Sequence, residues 1–464
     1  MPSRTARWLC DDHLIAPNAK TKWKDQYKLK HNWTKGTAAV NEIPVGDQAT
    51  VPPVLVQMHD GIIYIADSAN LRAWSAKGSR KMVALCNLNG ADSRSPPTAL
   101  AVHSSRPAMS RVAIGYEDGA FEIHELDHQA ERFRRTYRHP PSSNGVVSAA
   151  AICWPYVTTL TATQVLSLYR FHQPAQQLNG SEVLDPPRLL HSLRSHTVWP
   201  PLSTSLRASS ASITVSMAYA IPTYLSGWTV GLQEVRVSPN GDLQDSRLAS
   251  AIHQHYRPLA FAAPPMTQHL TPPMPGSLAT STATELRHIH SKPTSLSYSH
   301  PYLLVSHPDN TLTLYLVTST AESLQISAGS RLWGHTSAVS GAHVGGRGKA
   351  VSVSRRGDEL RVWELEGGFG SVAAKKRLAS GDLSVRIRSG GRASGPSNET
   401  DPTLLQRALR TRNASTGSCA SELRIEDASD LTLTRGWVGF DEENVVLLKE
   451  QSQGRQSLVV YDFT

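Results

Sequence analysis

The chain has 464 residues, 18% of them charged, with 31 Gly and 29 Pro and a formal net charge of +9. That length can bury a large core, and a composition rich in Ser, Thr, Gly and Pro is one of strands and turns rather than helices. No apolar run reaches the length of a membrane span, and the N-terminus has no apolar stretch of signal-peptide length. Four scattered cysteines, Cys10, Cys86, Cys153 and Cys419, form no C-x-x-C pair. Neither a zinc site nor a disulfide framework is indicated, and reduced thiols in a cytoplasmic or nuclear protein are expected. The charge is unevenly placed. Residues 1–36 carry eight Lys or Arg against three Asp, and residues 372–412 carry nine against three acids, so the remainder is slightly acidic. A nucleic-acid-binding body should itself carry a basic face, so nucleic acid is not an expected partner.

The first predicted element is a helix over Trp23–Gly36, WKDQYKLKHNWTKG, with Trp23 and Tyr27 four residues apart on one face and a glycine to stop it. Packing of Trp23, Tyr27 and Trp33 onto the following domain is the plain expectation. Thr37–Val45, TAAVNEIPV, then reads as a short strand.

From there the chain repeats one pattern, a strand, a polar turn and a strand, each alternating apolar and polar as a half-buried antiparallel pair requires. It recurs in Ile62–Trp74, Val112–Leu126, Val157–Phe171, Tyr224–Val237, Tyr302–Val317, Arg331–Leu365 and Val445–Phe463. The second strands of these pairs close near Trp74, His124, Tyr169, Val235, Tyr315, Trp363 and Tyr461. Excess length falls in polar stretches near 173–200, 239–290 and 366–430, which suit surface insertions. Residues 372–412, with Lys375-Lys376-Arg377, read as a disordered loop.

Arg331–Leu365, RLWGHTSAVSGAHVGGRGKAVSVSRRGDELRVWEL, has a Gly-His pair, two alternating strands and a closing Trp. It resembles a WD-repeat of the β-propeller family, in which a His caps one strand and a Trp closes the third. Seven such segments imply an all-β, seven-bladed WD-repeat-like propeller over 37–464, with six or eight blades or a sandwich array as alternatives. The turn Asp of the family occurs as Asp118 and Asp309, whereas Gly357 stands there in the best repeat, so its His-Ser-Asp-Trp network is expected to be incomplete. The chain stops just after Tyr461-Asp462-Phe463, one strand short of a full blade. Thr37–Val45 is therefore expected to pair with the C-terminal strands and remove an open edge.

Trp23, Lys24, Tyr27, Lys28, Asn32, Trp33 and Gly36, ahead of a WD-repeat propeller, resemble the linker of F-box/WD-repeat proteins, the substrate receptors of SCF ubiquitin ligases. Arg7-Trp8-Leu9-Cys10 is similar to the end of an F-box. The resemblance divides the chain into an F-box end and linker helix, 1–36, and the propeller. It implies two kinds of partner, a ligase adaptor on the side of Trp8, Trp23, Tyr27 and Trp33, and protein substrates on the propeller's top face. Most of an F-box is absent from residues 1–36, so the adaptor contact is expected to be incomplete within this sequence.

No catalytic motif is present: no G-x-S-x-G, P-loop, H-E-x-x-H or strand-to-helix G-x-G-x-x-G. His288 and His290 alternate in a polar stretch without further ligands. Binding without a cofactor, rather than catalysis, is the expected work. A phosphorylated or acidic peptide calls for arginines. Arg72 and Arg361, each two residues before a closing Trp, and Arg355 and Arg356 in the turn before that strand, are the candidates. The alternative is a scaffold outside any ligase, in a nuclear or RNA-associated assembly.

Overall fold

The computed structural model describes residues 23–47, 52–78, 81–88, 95–106, 109–172, 184–194, 199, 201–223, 227–251, 291–345, 348–366, 384–389, 433–450 and 454–464. It opens with helix α1, Trp23–Lys35, and strand β1, Thr37–Gly46. Seven antiparallel sheets follow in chain order. Sheet one holds β2 (Leu55–His59), β3 (Ile62–Ala66), β4 (Asn70–Ser75) and β5 (Met82–Asn87). Sheet two holds β6 (Pro97–Arg106), β7 (Met109–Tyr116), β8 (Phe121–Asp127) and β9 (Arg132–His139). Sheet three is β10 (Val147–Cys153), β11 (Tyr156–Thr161), β12 (Val165–Arg170) and β13 (Arg188–Arg194). Sheet four is β14 (Ser203–Ala208), β15 (Ile213–Pro222), β16 (Trp228–Val237) and β17 (Leu243–Ser250).

Sheet five is β18 (Ser295–Ser299), β19 (Tyr302–Ser306) and β20 (Thr311–Ser319), with β21 (Leu324–Ile326) and β22 (Ser330–Trp333) sharing the outer edge of β20. Sheet six is β23 (Val339–Val344), β24 (Lys349–Ser354), β25 (Leu360–Glu364) and β26 (Ser384–Ser389). Sheet seven is β27 (Leu433–Phe440), β28 (Asn444–Glu450) and β29 (Gln456–Asp462), and its outer strand is β1. β1 runs antiparallel to β29 from Ala39↔Asp462 to Gly46↔Gln456, and its first residues touch β26 in parallel.

The arrangement is a seven-bladed β-propeller. Each sheet packs a face against each neighbour, so its middle strands are buried on both sides and lose the half-buried alternation. β11 and β19 are buried at every position. One apolar cluster fills each of the seven seams between neighbouring sheets. In the seam between sheets seven and one, Ile43 and Val45 of β1 meet Ile63 and Ile65 of β3 and Val460 of β29.

The innermost strands of neighbouring sheets form no common ladder, and hydroxyl side chains bridge them. Thr98 donates to the Val147 carbonyl at 2.7 Å, Ser203 accepts from the Tyr298 amide at 3.3 Å, and Ser295 and Ser297 accept from the Ala342 and Val344 amides at 3.0 and 3.1 Å. Backbone groups beside the axis are thus satisfied without closing the inner ring into a barrel. The channel they enclose is about 530 Å³, with Met58, His343, Trp437 and Phe440 in its wall.

The third strands β4, β8, β12, β16, β20, β25 and β29 contain the seven residues that mark them in the sequence. The insertions are shorter than the polar composition suggests. β13, β17 and β26 lie inside 173–200, 239–290 and 366–430, and each is the outer strand of its sheet. Residues 384–389 of the basic segment are therefore strand rather than loop. An outer strand has one face toward solvent and reads as polar, which hides it in a loop-like composition.

Candidate interaction sites

Among the described residues, the candidates predicted from the sequence remain exposed on firm support at two places: helix α1 and the turn that carries Arg355 and Arg356.

Helix α1 has Asp25 in its first turn and Lys35 in its last, the polarity its dipole favours. It ends at Gly36, whose φ of +67° is a left-handed cap that side chains resist. A Cβ there would lie 2.3 Å from the Arg386 carbonyl oxygen and 2.7 Å from Val385 Cγ1, so the close approach to β26 also demands glycine. Trp33 is the anchor. Its ring stacks on Phe463 at 3.9 Å between centroids, its Nε1–H donates to the Glu442 carbonyl at 2.9 Å, and the Lys349 ammonium lies 4.6 Å from the ring centroid. Asn32 Nδ2 donates to the Phe463 carbonyl at 2.8 Å, and Leu29 packs on the same cluster.

The opposite face of α1 is bare. Trp23 is 62% exposed and Tyr27 72%, and Tyr27 stacks on the exposed His31. This corrects the expectation that all three aromatics pack onto the propeller: Trp33 does, whereas Trp23 and Tyr27 do not. Helical geometry supplies the reason. Gln26, Leu29, Lys30 and Trp33 form the inward stripe, and Trp23, Tyr27 and His31 form another. Trp8 lies outside the described residues.

The four candidate arginines divide in the same way. Arg72 donates to Asp67 Oδ2 at 2.5 Å and to the Val45 carbonyl of β1 at 2.7 Å. Arg361 donates from Nε to Glu359 Oε1 at 2.8 Å and from a terminal nitrogen to Ser384 Oγ at 2.9 Å. Asp67 and Glu359 are both buried. Turning either guanidinium toward a ligand would take an Arg partner from a buried carboxylate; Arg72 ties sheet one to β1, and Arg361 braces sheet six internally. Arg355 and Arg356 are exposed, in the turn joining β24 to β25. That turn is fixed by Gly357 at φ +72°, whose amide donates to the Ser354 carbonyl at 2.9 Å, and by the Arg355 amide donating to the Ala338 carbonyl at 2.7 Å. Successive strands alternate in direction. Turns between second and third strands therefore lie on one rim, and the β27–β28 turn that receives Trp33 lies on the other.

In the repeat network the His, Ser and Trp are linked, while His335 Nδ1 has no hydrogen-bond partner among the described residues. Ser352 Oγ lies 2.6 Å from His335 Nε2 and accepts from Trp363 Nε1 at 2.8 Å. Glu359, four residues before Trp363, is the carboxylate that stands near the place of the turn Asp. Its Oε2 lies 3.5 Å from His335 Nδ1 and accepts from the Thr336 amide and hydroxyl at 2.7 and 2.9 Å. Burial lowers the His335 pKa to about 4. Burial alone would raise the Glu359 carboxyl, but the donors from Thr336 and Arg361 outweigh it and bring the value to about 2. Glu359 was missed in the sequence, although its place just before β25 and two residues before Arg361 brings the two side chains together. Among the described residues, no group of three His, Cys, Asp or Glu is placed to hold a metal ion, and no helix is long and apolar enough to cross a membrane.

A seven-bladed ring with one rim bearing an anchored helix and the other an exposed basic turn defines the class as a β-propeller. The family model described as "F-box protein pof12 beta-propeller" matches residues 38–464, and the chain belongs to that family. F-box protein pof12 of Schizosaccharomyces pombe is 41% identical over 64 residues, which is 14% of this chain and 14% of that protein. The match therefore spans a small part of the relative's length. Solved structures of similar shape include the RRP9 WD40 repeats (10% identity, 92% of this chain and 98% of that one, TM-score 0.44) and the WD40 propeller of Doa1 (11%, 92% and 96%, TM-score 0.41). The Cps50 (Swd1) propeller of Myceliophteria thermophila is similar at 13% identity, 90% and 98% coverage and TM-score 0.43. At that level of likeness they say nothing of what this chain binds.

Proposed function

We propose that this protein is the substrate-recognition subunit of an SCF-type ubiquitin ligase, acting in the cytoplasm or nucleus. The observation that carries the reading is the division of labour along α1. Trp33, Asn32 and Gly36 fasten one end to sheets six and seven, while Trp23 and Tyr27 stand bare at the other. A helix held this way is a rigid spacer whose free face can seat an adaptor-binding module, and membership of a family named for an F-box protein supports it. Substrate proteins, phosphorylated ones included, would meet the far rim at Arg355 and Arg356, where an exposed guanidinium can bond an anionic group bidentately.

The test is co-purification of the full-length protein with the ligase adaptor. Stoichiometric recovery that weakens on substituting both Trp23 and Tyr27 by Ala supports the reading. Failure to recover the adaptor with the full-length protein overturns it.

A further inference from the structure

In the seam between sheets one and two, Cys86 of β5 faces a buried acid–base pair on β8. Its Sγ lies 4.0 Å from His124 Nδ1, and His124 Nε2 lies 2.9 Å from Glu122 Oε2. His124 is 1% exposed and Glu122 2%. Glu122 is held as a carboxylate. Burial opposes the charge, but His124, a hydrogen bond from the Tyr116 hydroxyl at 2.9 Å, and Arg135 lower its pKa overall. Arg135 and Arg138 stand 3.3 and 3.7 Å from its other oxygen. A carboxylate accepts and cannot donate, so Nε2 must carry the proton shared with it. The Nδ1 that faces the thiol is then able to act as the basic nitrogen. Cys86 itself is half-buried, on the outer strand of sheet one between the exposed Leu85 and Asn87.

We propose that Cys86 is a nucleophilic thiol and a site of covalent modification by small disulfides and soft electrophiles, with His124 as its base and Glu122 as the group that orients that base. The arrangement reproduces the logic of a nucleophile, a base and an orienting acid, without any substrate cleft. In the reaction with a small disulfide, the Cys86 sulfur attacks one sulfur of the reagent. A new S–S bond forms as the reagent's own S–S bond breaks. The Cys86 proton passes to His124 Nδ1 and from there to the departing thiolate, which leaves as a thiol. Burial first, and then the charge of Glu122, push the Cys86 pKa up, with Arg135 opposing. The resting group is therefore the thiol, and the base is needed at the moment of attack. An adduct at Cys86 would wedge the seam that holds Leu71 and Val112 together.

The experiment measures iodoacetamide labelling of each cysteine in the full chain by peptide mass spectrometry, across a pH series. Cys153, the other half-buried cysteine among the described residues, is the internal reference. At neutral pH Cys86 should label at least about tenfold faster than Cys153, in keeping with general-base assistance. Its rate should not simply follow the thiol's own ionisation, which burial pushes up. His124→Asn should bring Cys86 down to the rate of Cys153. The pH series on the unaltered protein keeps the proposal testable should that variant fail to fold. Labelling of Cys86 no faster than Cys153, or a rate that follows an ordinary thiol titration, would overturn it.

Discussion

Trp33 stacks face to face on Phe463, with centroids 3.9 Å apart and planes 9° from parallel. The contact joins the helix ahead of the first sheet to the end of β29 in the seventh, beside the outer strand that α1 leads into. Substituting Trp33 by Ala removes the stack, the bond to Glu442 and the wall of the seam between sheets six and seven. The expected cost is about 3–5 kcal/mol in chemical denaturation. Trp23→Ala and Tyr27→Ala should stay within about 0.5 kcal/mol of the parent, because nothing in the fold rests on them. Equal losses at all three positions would contradict the described helix face.

Gly36→Ala should destabilise by more than about 1 kcal/mol, because the left-handed φ and the 2.3 Å approach to Arg386 both penalise a Cβ. Gly78 is the control. It also has a positive φ, +59°, but a Cβ there meets nothing within 4 Å. Thermal melts of the two variants should differ, with the Gly36 variant melting lower.

Acid should loosen sheets five and six before the carboxylates titrate. Burial holds both His307 and His335 near a pKa of about 4, below the usual 6.5 of an unfolded chain. The unfolded state therefore binds more protons across that window. Stability is full above about pH 6.5 and falls as the pH drops toward 4, by up to roughly 3 kcal/mol per group. The Glu359 carboxylate, near 2, persists through the whole window. Replacing either histidine by Gln should flatten the pH dependence of the denaturation midpoint between those limits. An unchanged slope would show that the replaced histidine is not held neutral by the fold.

The arginines should separate by phenotype. Arg361→Ala leaves Glu359 buried with its Arg partner gone and is expected to cost about 3–5 kcal/mol, with Arg72→Ala similar through Asp67. Arg355→Ala with Arg356→Ala should leave the melting temperature nearly unchanged, since both are exposed turn residues. The same pair should weaken capture of substrate proteins in a pull-down. Intact capture would remove this rim from the proposed function.

Much of the architecture was legible because its signal is local. Tyr302–Val317 and Val445–Phe463 each carry an apolar run, a polar turn and a second apolar run, which marks an antiparallel strand pair locally, although the strands prove buried on both faces rather than one. The outer strands β13, β17 and β26 were illegible for the converse reason. A strand with one wet face and no turn signature has the composition of a loop, and only its neighbour in the sheet defines it. In the repeat of sheet six, Gly357 at the usual turn position suggested a broken network. Glu359 places a carboxylate nearby from a position closer to Trp363, where it accepts from Thr336 rather than from His335, an arrangement visible only in the folded turn.

The chain by itself determined that strand–turn–strand units recur seven times and that a helix ending in glycine precedes them, since periodicity and backbone chemistry act over a few residues. Which of Trp23, Tyr27 and Trp33 anchors that helix, and which of Arg72, Arg355, Arg356 and Arg361 is exposed, was decided by the tertiary structure alone. Those side chains are chemically alike, and what separates them is contact with groups such as Glu442, Phe463, Asp67 and Glu359. Trp33 and Glu442 lie 409 residues apart in sequence, and only closure of the ring brings them together.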